Sequence, residues 1–401
     1  MKFSDYRISD DIKKQLDVLG FKRPTDIQFK AIKPILAGED VMAIAQTGTG
    51  KTAAFVIPTL DLLQKRRRKN VGIRCLVMVP TRELAKQIDA VYREIGKNTG
   101  VKSFALIGGV DQEQQIKTLD NGIDVLVTTP GRMFDLKSQG VIDLSNVEFL
   151  VLDEADLMLD LGFAKDIQDV LRVIPRKRQT LFFSATISKK IKSLAYDVVR
   201  NALRIQISPK NPVSKNVEHV FISVEMDDKR FFLENMIKEY PEKKLIVFVR
   251  TQVRAGRVVE AMKRVEIHSE ALHGGIEQDE RFAILDRFRS GENQVLITTD
   301  VAARGIDIPN VEYVVNYDIP DVAENYVHRC GRTGRGTNDG QAISFCAENE
   351  KELLKVIEAY TGQEIEEYEV TKNEYLDILK DTDDGSNDWK KLMEENPDLD
   401  W

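Results

Sequence analysis

Short apolar runs recur along this chain, and each one ends in a polar cluster. Val41-Met42-Ala43-Ile44 runs into a glycine-containing loop, and Cys75-Leu76-Val77-Met78-Val79 into Pro80-Thr81-Arg82-Glu83. Phe104 to Ile107 precedes Gly108-Gly109, and Val125 to Thr128 precedes Thr129-Pro130-Gly131-Arg132. Phe149 to Leu152 precedes Asp153-Glu154-Ala155-Asp156, and Thr180 to Phe183 precedes Ser184-Ala185-Thr186. Helical patterns such as Leu84 to Ile95 lie between most of them. Continuous apolar runs of this length, alternating with helices, read as a parallel sheet buried on both faces. In such sheets ligands bind beyond the carboxyl ends of the strands, where these polar clusters fall.

A second series follows a break. Ser208-Pro209-Lys210-Asn211-Pro212-Val213-Ser214 carries two prolines and reads as a linker. Beyond it, Leu245 to Val249 precedes Arg250-Thr251, Glu270 to Leu272 precedes His273-Gly274-Gly275, and Val295 to Thr298 precedes Thr299-Asp300. Tyr313-Val314-Val315 and Ala342 to Phe345 complete the set. The expected organisation is a first α/β domain over 1–207, a linker at 208–214, a second α/β domain over 215–365 and a tail from 366. A length of 401 residues allows two real cores.

At the amino end, Asp10-Asp11 opens an amphipathic helix carrying Ile12, Leu16 and Leu19, which Gly20 ends. Pro24 is a breaker, and Thr25 is placed to cap the helix bearing Gln28. No stretch approaches 20 uninterrupted apolar residues, which excludes a membrane-spanning helix, and Met1 to Asp5 lacks the core of a signal peptide. The three cysteines, Cys75, Cys330 and Cys346, are widely spaced. They suit a reducing compartment, have no metal-ligand pattern and are expected to pack as small hydrophobes. Net charge is −7, but residues 366–401 hold 13 acids against 4 basic residues, so the body is near neutral and free to carry a basic groove. Lys65 to Lys69 is the one dense basic run and reads as a solvated loop.

The chemistry concentrates in three places. Ala45-Gln46-Thr47-Gly48-Thr49-Gly50-Lys51-Thr52 joins an apolar run to a helix start. Backbone N–H groups there converge on an anion and the helix dipole favours negative charge. Lys51 reaches the outer phosphates of a nucleotide and the Thr52 hydroxyl holds Mg²⁺. Asp153 is placed to retain that Mg²⁺, largely through water, and Glu154 to orient and deprotonate an attacking water. Tyr326 to Gly336 packs three arginines and three glycines into one run, and Arg332 and Arg335 are spaced to point the same way as arginine fingers. His328 has no ligand-spaced neighbours and reads as a hydrogen-bonding residue.

Together these motifs resemble those of the DEAD-box RNA helicases of superfamily 2, over residues 1 to about 365. The compact core resembles that of bacterial RhlE-type members. The matching motifs are Phe21-x-x-Pro24-Thr25-x-x-Gln28, AQTGTGKT at 45–52, PTREL at 80–84, GG at 108–109, TPGR at 129–132, DEAD at 153–156, SAT at 184–186, TTDVAARGID at 298–307 and HRCGRTGR at 328–335. The resemblance implies two RecA-like domains, each a mostly parallel sheet flanked by helices, closing over ATP and single-stranded RNA. It implies that Gln28 reads the adenine edge, with Phe21 packed on the base and Thr25 in support. Ala45 through Thr52 then hold phosphates and Mg²⁺. Gly305 and Asp307 meet the nucleotide from the second domain, and Ser184, Thr186 and His328 couple the site to closure. On the RNA side it implies Thr81, Arg82, Gly109, Thr129 and Arg132 in the first domain. In the second it implies Arg250, Thr251, Gly274, Arg281 and Thr299.

The RNA set is Thr, Gly and Arg, which contact phosphates and 2′-hydroxyls and carry no base code. The expectation is therefore an ATP- and Mg²⁺-dependent RNA helicase in the cytoplasm. It grips RNA without regard to sequence, opens short duplexes by closure, acts as a monomer and has a partly disordered acidic tail. An ATP-dependent RNA clamp that barely unwinds, or a DNA helicase or translocase, would need many of the same residues.

Overall fold

A computed structural model describes residues 1–46, 48–66, 72–199, 201–207, 216–303, 306, 308, 311–334 and 339–381. The chain divides into two compact units, Met1–Pro209 with Gly305–Asp307, and Lys210–Arg304 with Ile308–Trp401. The expected linker at 208–214 lies outside the described residues.

The first unit is built on seven strands: β1 (Val41–Ile44), β2 (Cys75–Met78), β3 (Ser103–Leu106), β4 (Val125–Thr128), β5 (Phe149–Leu152), β6 (Gln179–Ser184) and β7 (Leu203–Gln206). They lie in the order β3-β4-β2-β5-β6-β1-β7, every pair parallel. Strands β1, β2, β4, β5 and β6 are buried at every residue, which is why they read as continuous apolar runs. Edge strand β7 is exposed except at Ile205 and has no such run, so the sequence alone gave no strand there.

The second unit repeats the plan. Its strands are β8 (Val217–Ser223), β9 (Leu245–Phe248), β10 (Glu270–Leu272), β11 (Val295–Thr298), β12 (Tyr313–Asn316), β13 (Gly340–Cys346) and β14 (Glu366–Glu367). Their order is β10-β11-β9-β12-β13-β8-β14, again all parallel. Adding seven to each strand number of the first sheet gives the second. Strand β8 escaped the sequence reading because Glu218 and His219 interrupt its apolar residues. The unit also continues past residue 365. Glu366–Glu367 pairs with β8, and the helix Lys372–Asp381 lays Tyr375 and Ile378 on the core of the unit. The acidic composition hid this helix, because few of its side chains pack inward.

The amino-terminal segment braces the helix Lys51–Lys65. Ser9 N–H donates to fully buried Asp61 at 2.8 Å, and Lys65 pairs with the same carboxylate at 2.7 Å. Lys65 is thus the last residue of a helix, whereas Lys65–Lys69 was expected to be loop; residues 67–69 lie outside the described residues. The helix Asp26–Ala37 packs on Lys51–Lys65 and buries Ile27, Ile32 and Ile35 completely. Each such side chain stabilises the packing by about 1.5–3 kcal/mol. All three cysteines are buried, and burial pushes their thiols up to about 12, 12 and 11, so they are inert packing groups.

Candidate active site

The carboxyl edge of the first sheet falls into two halves. On one half, β5, β6 and β1 are adjacent, and their following loops converge. Gly50 caps the helix Lys51–Lys65 in the left-handed region, with φ +90°. That backbone favours glycine, and a Cβ there would lie 2.5 Å from Gln28 Nε2 and displace the end of that side chain. Gly48 has φ +80° and open space where its Cβ would be. Gln28 is buried; its Nε2 donates to the Gly50 carbonyl at 3.1 Å and its Oε1 accepts from Thr25 N–H at 3.0 Å. Each end of the amide keeps one further hydrogen-bonding capacity. Phe21 packs edge-on against buried Phe3, centroids 5.8 Å apart. Thr49 Oγ1 donates to the Gln46 carbonyl at 2.7 Å, Ala45 is buried and Thr52 follows Lys51 in the first helical turn. Thr47 lies outside the described residues.

Lys51, also buried, sits 3.0 Å from Glu154 Oε1 and makes no further hydrogen bond among the described residues. An ammonium has three donors, so this one has capacity to spare. Burial alone would depress it, but Glu154, Asp153 and Asp156 outweigh burial and the net shift is upward. Asp153 is pushed up to about 7, first by burial and then by the Glu154 charge, with Lys51 opposing. This pair of carboxylates is short of positive charge. Glu154 itself has φ +50°, a strained setting for a residue with a side chain, and such outliers gather at working sites.

Asp156 was given no separate role by the sequence, yet it connects the site. Its Oδ2 accepts from Ala185 N–H at 3.1 Å and Thr186 N–H at 3.0 Å. Ser184 Oγ donates to the Thr186 carbonyl at 2.9 Å, and the Ser184 carbonyl accepts from Ala45 N–H at 3.0 Å. The acid turn, the Ser184–Thr186 segment and the start of the phosphate loop are therefore one hydrogen-bonded chain. The third acid of the motif was the available signal.

The other half of the edge, β3-β4-β2, carries a different chemistry. Thr81 caps the helix Arg82–Ile95, its Oγ1 accepting from Leu84 N–H at 3.3 Å. The Arg82 guanidinium lies over Gly108, and Gly109 has φ +75°. Thr129 stands at the N-cap position of the helix Pro130–Ser138 without a side-chain capping bond. Arg132 Nη2 donates to the Val110 carbonyl at 3.3 Å, while its buried Nη1 has no partner among the described residues. Thr128 Oγ1 ties β4 to the Leu106 carbonyl at 2.8 Å.

The second unit places its expected residues at the matching ends. Thr251 caps the helix Gln252–Arg264 through Arg254 N–H at 3.1 Å, and Thr298 Oγ1 reaches the Leu272 carbonyl at 2.9 Å. Gly274 lies beside Gln252, Thr299 follows β11, and buried Arg281 donates to the His273 carbonyl at 2.8 Å. Arg250 pairs with Asp321 and Glu350. Arg332 is buried and donates from Nε to the His328 carbonyl at 3.3 Å. Gly305, Asp307 and Arg335 lie outside the described residues. Sequence reasoning missed Arg329, which is buried, pairs with Asp300 at 2.6 Å and donates to the Asp318 carbonyl at 2.7 Å. It anchors the helix Ala323–Cys330 from which Arg332 follows.

Two family models match this chain, a DEAD/DEAH box helicase domain over residues 25–194 and a helicase conserved C-terminal domain over 228–337. ATP-dependent RNA helicase RhlB of Shewanella piezotolerans is 40% identical over 370 residues, covering 91% of this chain and 85% of that protein. The chain belongs to the DEAD/DEAH box helicase family. This helicase is also 36% identical over 405 residues to ATP-dependent RNA helicase DbpA of Bacillus subtilis, covering 99% and 84% of the two chains. Among solved structures, it is similar to S. cerevisiae Dbp5 bound to RNA and ADP BeF3, with a TM-score of 0.84 and 31% identity over 95% of this chain and 98% of that one. Mss116p bound to ssRNA and AMP-PNP gives a TM-score of 0.84 at 28% identity, over 97% and 84%. Among the described residues, no helix of this helicase is long and apolar enough to cross a membrane.

Proposed function

We propose that this chain is an ATP-dependent RNA helicase, in which binding of ATP and RNA closes two RecA-like units, closure opens a short duplex and hydrolysis resets the clamp. What supports this most is the division of one sheet edge into two chemistries. A buried lysine, two carboxylates and a glycine loop lie at β5, β6 and β1, and a Thr, Gly and Arg set lies at β2, β3 and β4.

Lys51 would exchange Glu154 for the outer phosphates, because its ammonium stays charged in this site and has donors to spare. That exchange frees the Glu154 carboxylate to orient and deprotonate water. Gln28 would keep its hold on Gly50 while offering its remaining donor and acceptor to adenine. Asp153 and the Thr52 hydroxyl would hold Mg²⁺ largely through its waters, and the ion would neutralise charge on the phosphates. The charge shortage at Asp153 and Glu154 suits a cation there. Among the described residues no group of three metal-ligating side chains converges. Gly305 and Asp307, in the TTDVAARGID stretch, would meet the nucleotide, and Arg332 and Arg335 would reach the γ-phosphate on closure. The threonines and arginines of both units would grip the RNA backbone, and the ATP and RNA affinities would rise together by linkage.

RNA should stimulate ATP hydrolysis, and DNA of the same sequence should not. Equal stimulation by DNA points instead to a DNA translocase, and tight ATP-dependent RNA binding without strand displacement points to a static clamp. Glu154→Gln should keep ATP and RNA binding and slow hydrolysis by about 10²–10⁴-fold. Retained RNA-stimulated turnover in that variant removes Glu154 from the role of base.

A further inference from the structure

The second unit carries a groove of about 840 Å³ between the helix Lys229–Glu239 and the helix Gln252–Arg264. Five arginines line it, Arg230, Arg250, Arg254, Arg257 and Arg264, against three carboxylates. Arg257 and Arg264 are exposed and make no ion pair among the described residues. The wall between the charges is apolar, with Met226, Ala261 and Val253, which is 67% exposed. The helix contributes Gly256 to the same wall. A helix-interior glycine costs about 1 kcal/mol relative to alanine. Here no packing explains it, because nothing lies within 4 Å of where its Cβ would be and its φ is not in the left-handed region. A wall kept bare at a cost in stability is suited to close approach by another chain.

The occupant is suggested by where the described chain ends. The helix Lys372–Asp381 packs on Lys229–Glu239, one of the two helices that line the groove. Tyr375 packs against Phe232 with tilted rings, centroids 4.9 Å apart, and its hydroxyl donates to Asp228 at 2.8 Å. Twenty residues follow, with seven acids against two lysines. At extended spacing they reach up to about 60 Å, ample for a groove beginning on the adjoining helix. They also carry Trp389, Leu392 and Met393 between Asp383-Asp384 and Glu394-Glu395. Acids flanking an apolar cluster complement arginines flanking an apolar wall.

We infer that residues 382–401 dock in this groove of their own chain and compete there with RNA. The competition rests on the reading of Arg250 and Thr251 as RNA contacts, since both line the groove; the docking does not. The segment is then an intramolecular brake that lowers RNA affinity until RNA or a stronger acidic ligand displaces it.

The only two tryptophans, Trp389 and Trp401, both lie in this segment, so tryptophan emission of the full chain reads its environment directly. The docked state should show blue-shifted emission, protection from acrylamide and no dependence on protein concentration. Arg257→Glu with Arg264→Glu should shift emission to that of free tryptophan, and lysines at Glu394 and Glu395 should restore the shift in that background. Emission of free tryptophan in the unaltered chain overturns the docking, as does a shift that the arginine variants leave in place. A concentration-dependent shift overturns docking in cis and assigns the groove to a second copy. Binding of a labelled single-stranded RNA is followed in the same samples. RNA that binds and releases the tryptophans supports competition. RNA that binds without releasing them overturns it, whereas RNA that does not bind at all refutes the helicase reading and leaves the docking standing on the emission data.

Discussion

The two units share one strand order, yet among the described residues only the first sets left-handed glycines ahead of its buried lysine. The contrast is sharpest at the helix that follows the first strand of each sheet. In the first unit that helix opens on Lys51, in the second on Lys229, and both lysines are buried. Lys51 follows a loop with left-handed glycines at 48 and 50 and meets one carboxylate, that of Glu154. Lys229 follows Val224-Glu225-Met226-Asp227-Asp228, which has no glycine and three acids. Its ammonium donates to the Tyr317 carbonyl at 2.8 Å and pairs closely with buried Glu350. One lysine is held in waiting; the other is consumed by its own fold. The architecture is indifferent to the difference, which lies in loop composition and in how many partners a buried charge already has.

The largest effect should follow from removing each lysine in turn. Lys51→Ala should abolish ATP-dependent RNA binding and hydrolysis with a smaller loss of stability, because its buried partner Glu154 stands beside Asp153, which takes up a proton more readily once the Lys51 charge is gone. Lys229→Ala should do the opposite. Glu350 would be left buried and unpaired, which costs about 3–5 kcal/mol, while nucleotide affinity stays unchanged. Burial already depresses the Lys229 ammonium, with Glu350 opposing, so little slack exists there. Urea unfolding and nucleotide titration on both variants separate the two outcomes. Undiminished clamping in Lys51→Ala, or a loss of nucleotide affinity without loss of stability in Lys229→Ala, breaks the contrast.

The same contrast explains what was legible in the sequence. Strands β1, β2, β4 and β5 were visible because burial on both faces leaves no room for polar residues. Edge strands β7 and β14 and the alternating β8 were not, because one-sided or partial burial erases the run. The glycine loop, Asp153 and Glu154 stood out because they lie at short spacing in the sequence, and the structure sets Lys51 3.0 Å from Glu154. Asp156, Arg329 and Lys229 could not be assigned roles, since a buried charge acquires its meaning from distant partners: Ala185 and Thr186, Asp300, Glu350. The helix Lys372–Asp381 was masked by composition, which averages over faces that the fold treats separately.

A smaller effect should expose the second unit by pH alone. His219 on β8 is buried, hydrogen-bonded through Nδ1 to Tyr326 Oη at 2.9 Å, and burial holds its pKa down at about 4. The unfolded chain, near 6.5, binds the extra proton first. Stability contributed by neutral His219 is therefore complete above about pH 6.5 and declines as pH falls toward 4. Between pH 6.5 and 5 the loss should be about 2 kcal/mol. Hydrogen exchange of the β8 and β13 amides should report it, while β1 and β6 amides of the first unit hold steady. His219→Gln, which does not titrate, should flatten the dependence. An equal loss in both sheets would assign the effect to general acid destabilisation.

The smallest effect tests where the two units are alike. Thr81 and Thr251 each cap the helix after the second strand of their sheet, through Leu84 N–H and Arg254 N–H. Alanine at either position should cost about 1 kcal/mol of local stability, and serine should recover most of it. Each hydroxyl is also expected to meet RNA. Its proton is uncommitted in the cap, because the oxygen serves as acceptor there, and so remains available to donate to a phosphate. Losing that bond should weaken RNA binding by roughly fivefold, about 1 kcal/mol, at either site. The stability loss and the affinity loss should appear together in both units and be rescued together by serine. If alanine at Thr251 costs stability but not RNA affinity, the cap there is structural only. The likeness of the two sheets would then end at their hydrogen bonds, and the RNA grip would belong to the first unit alone.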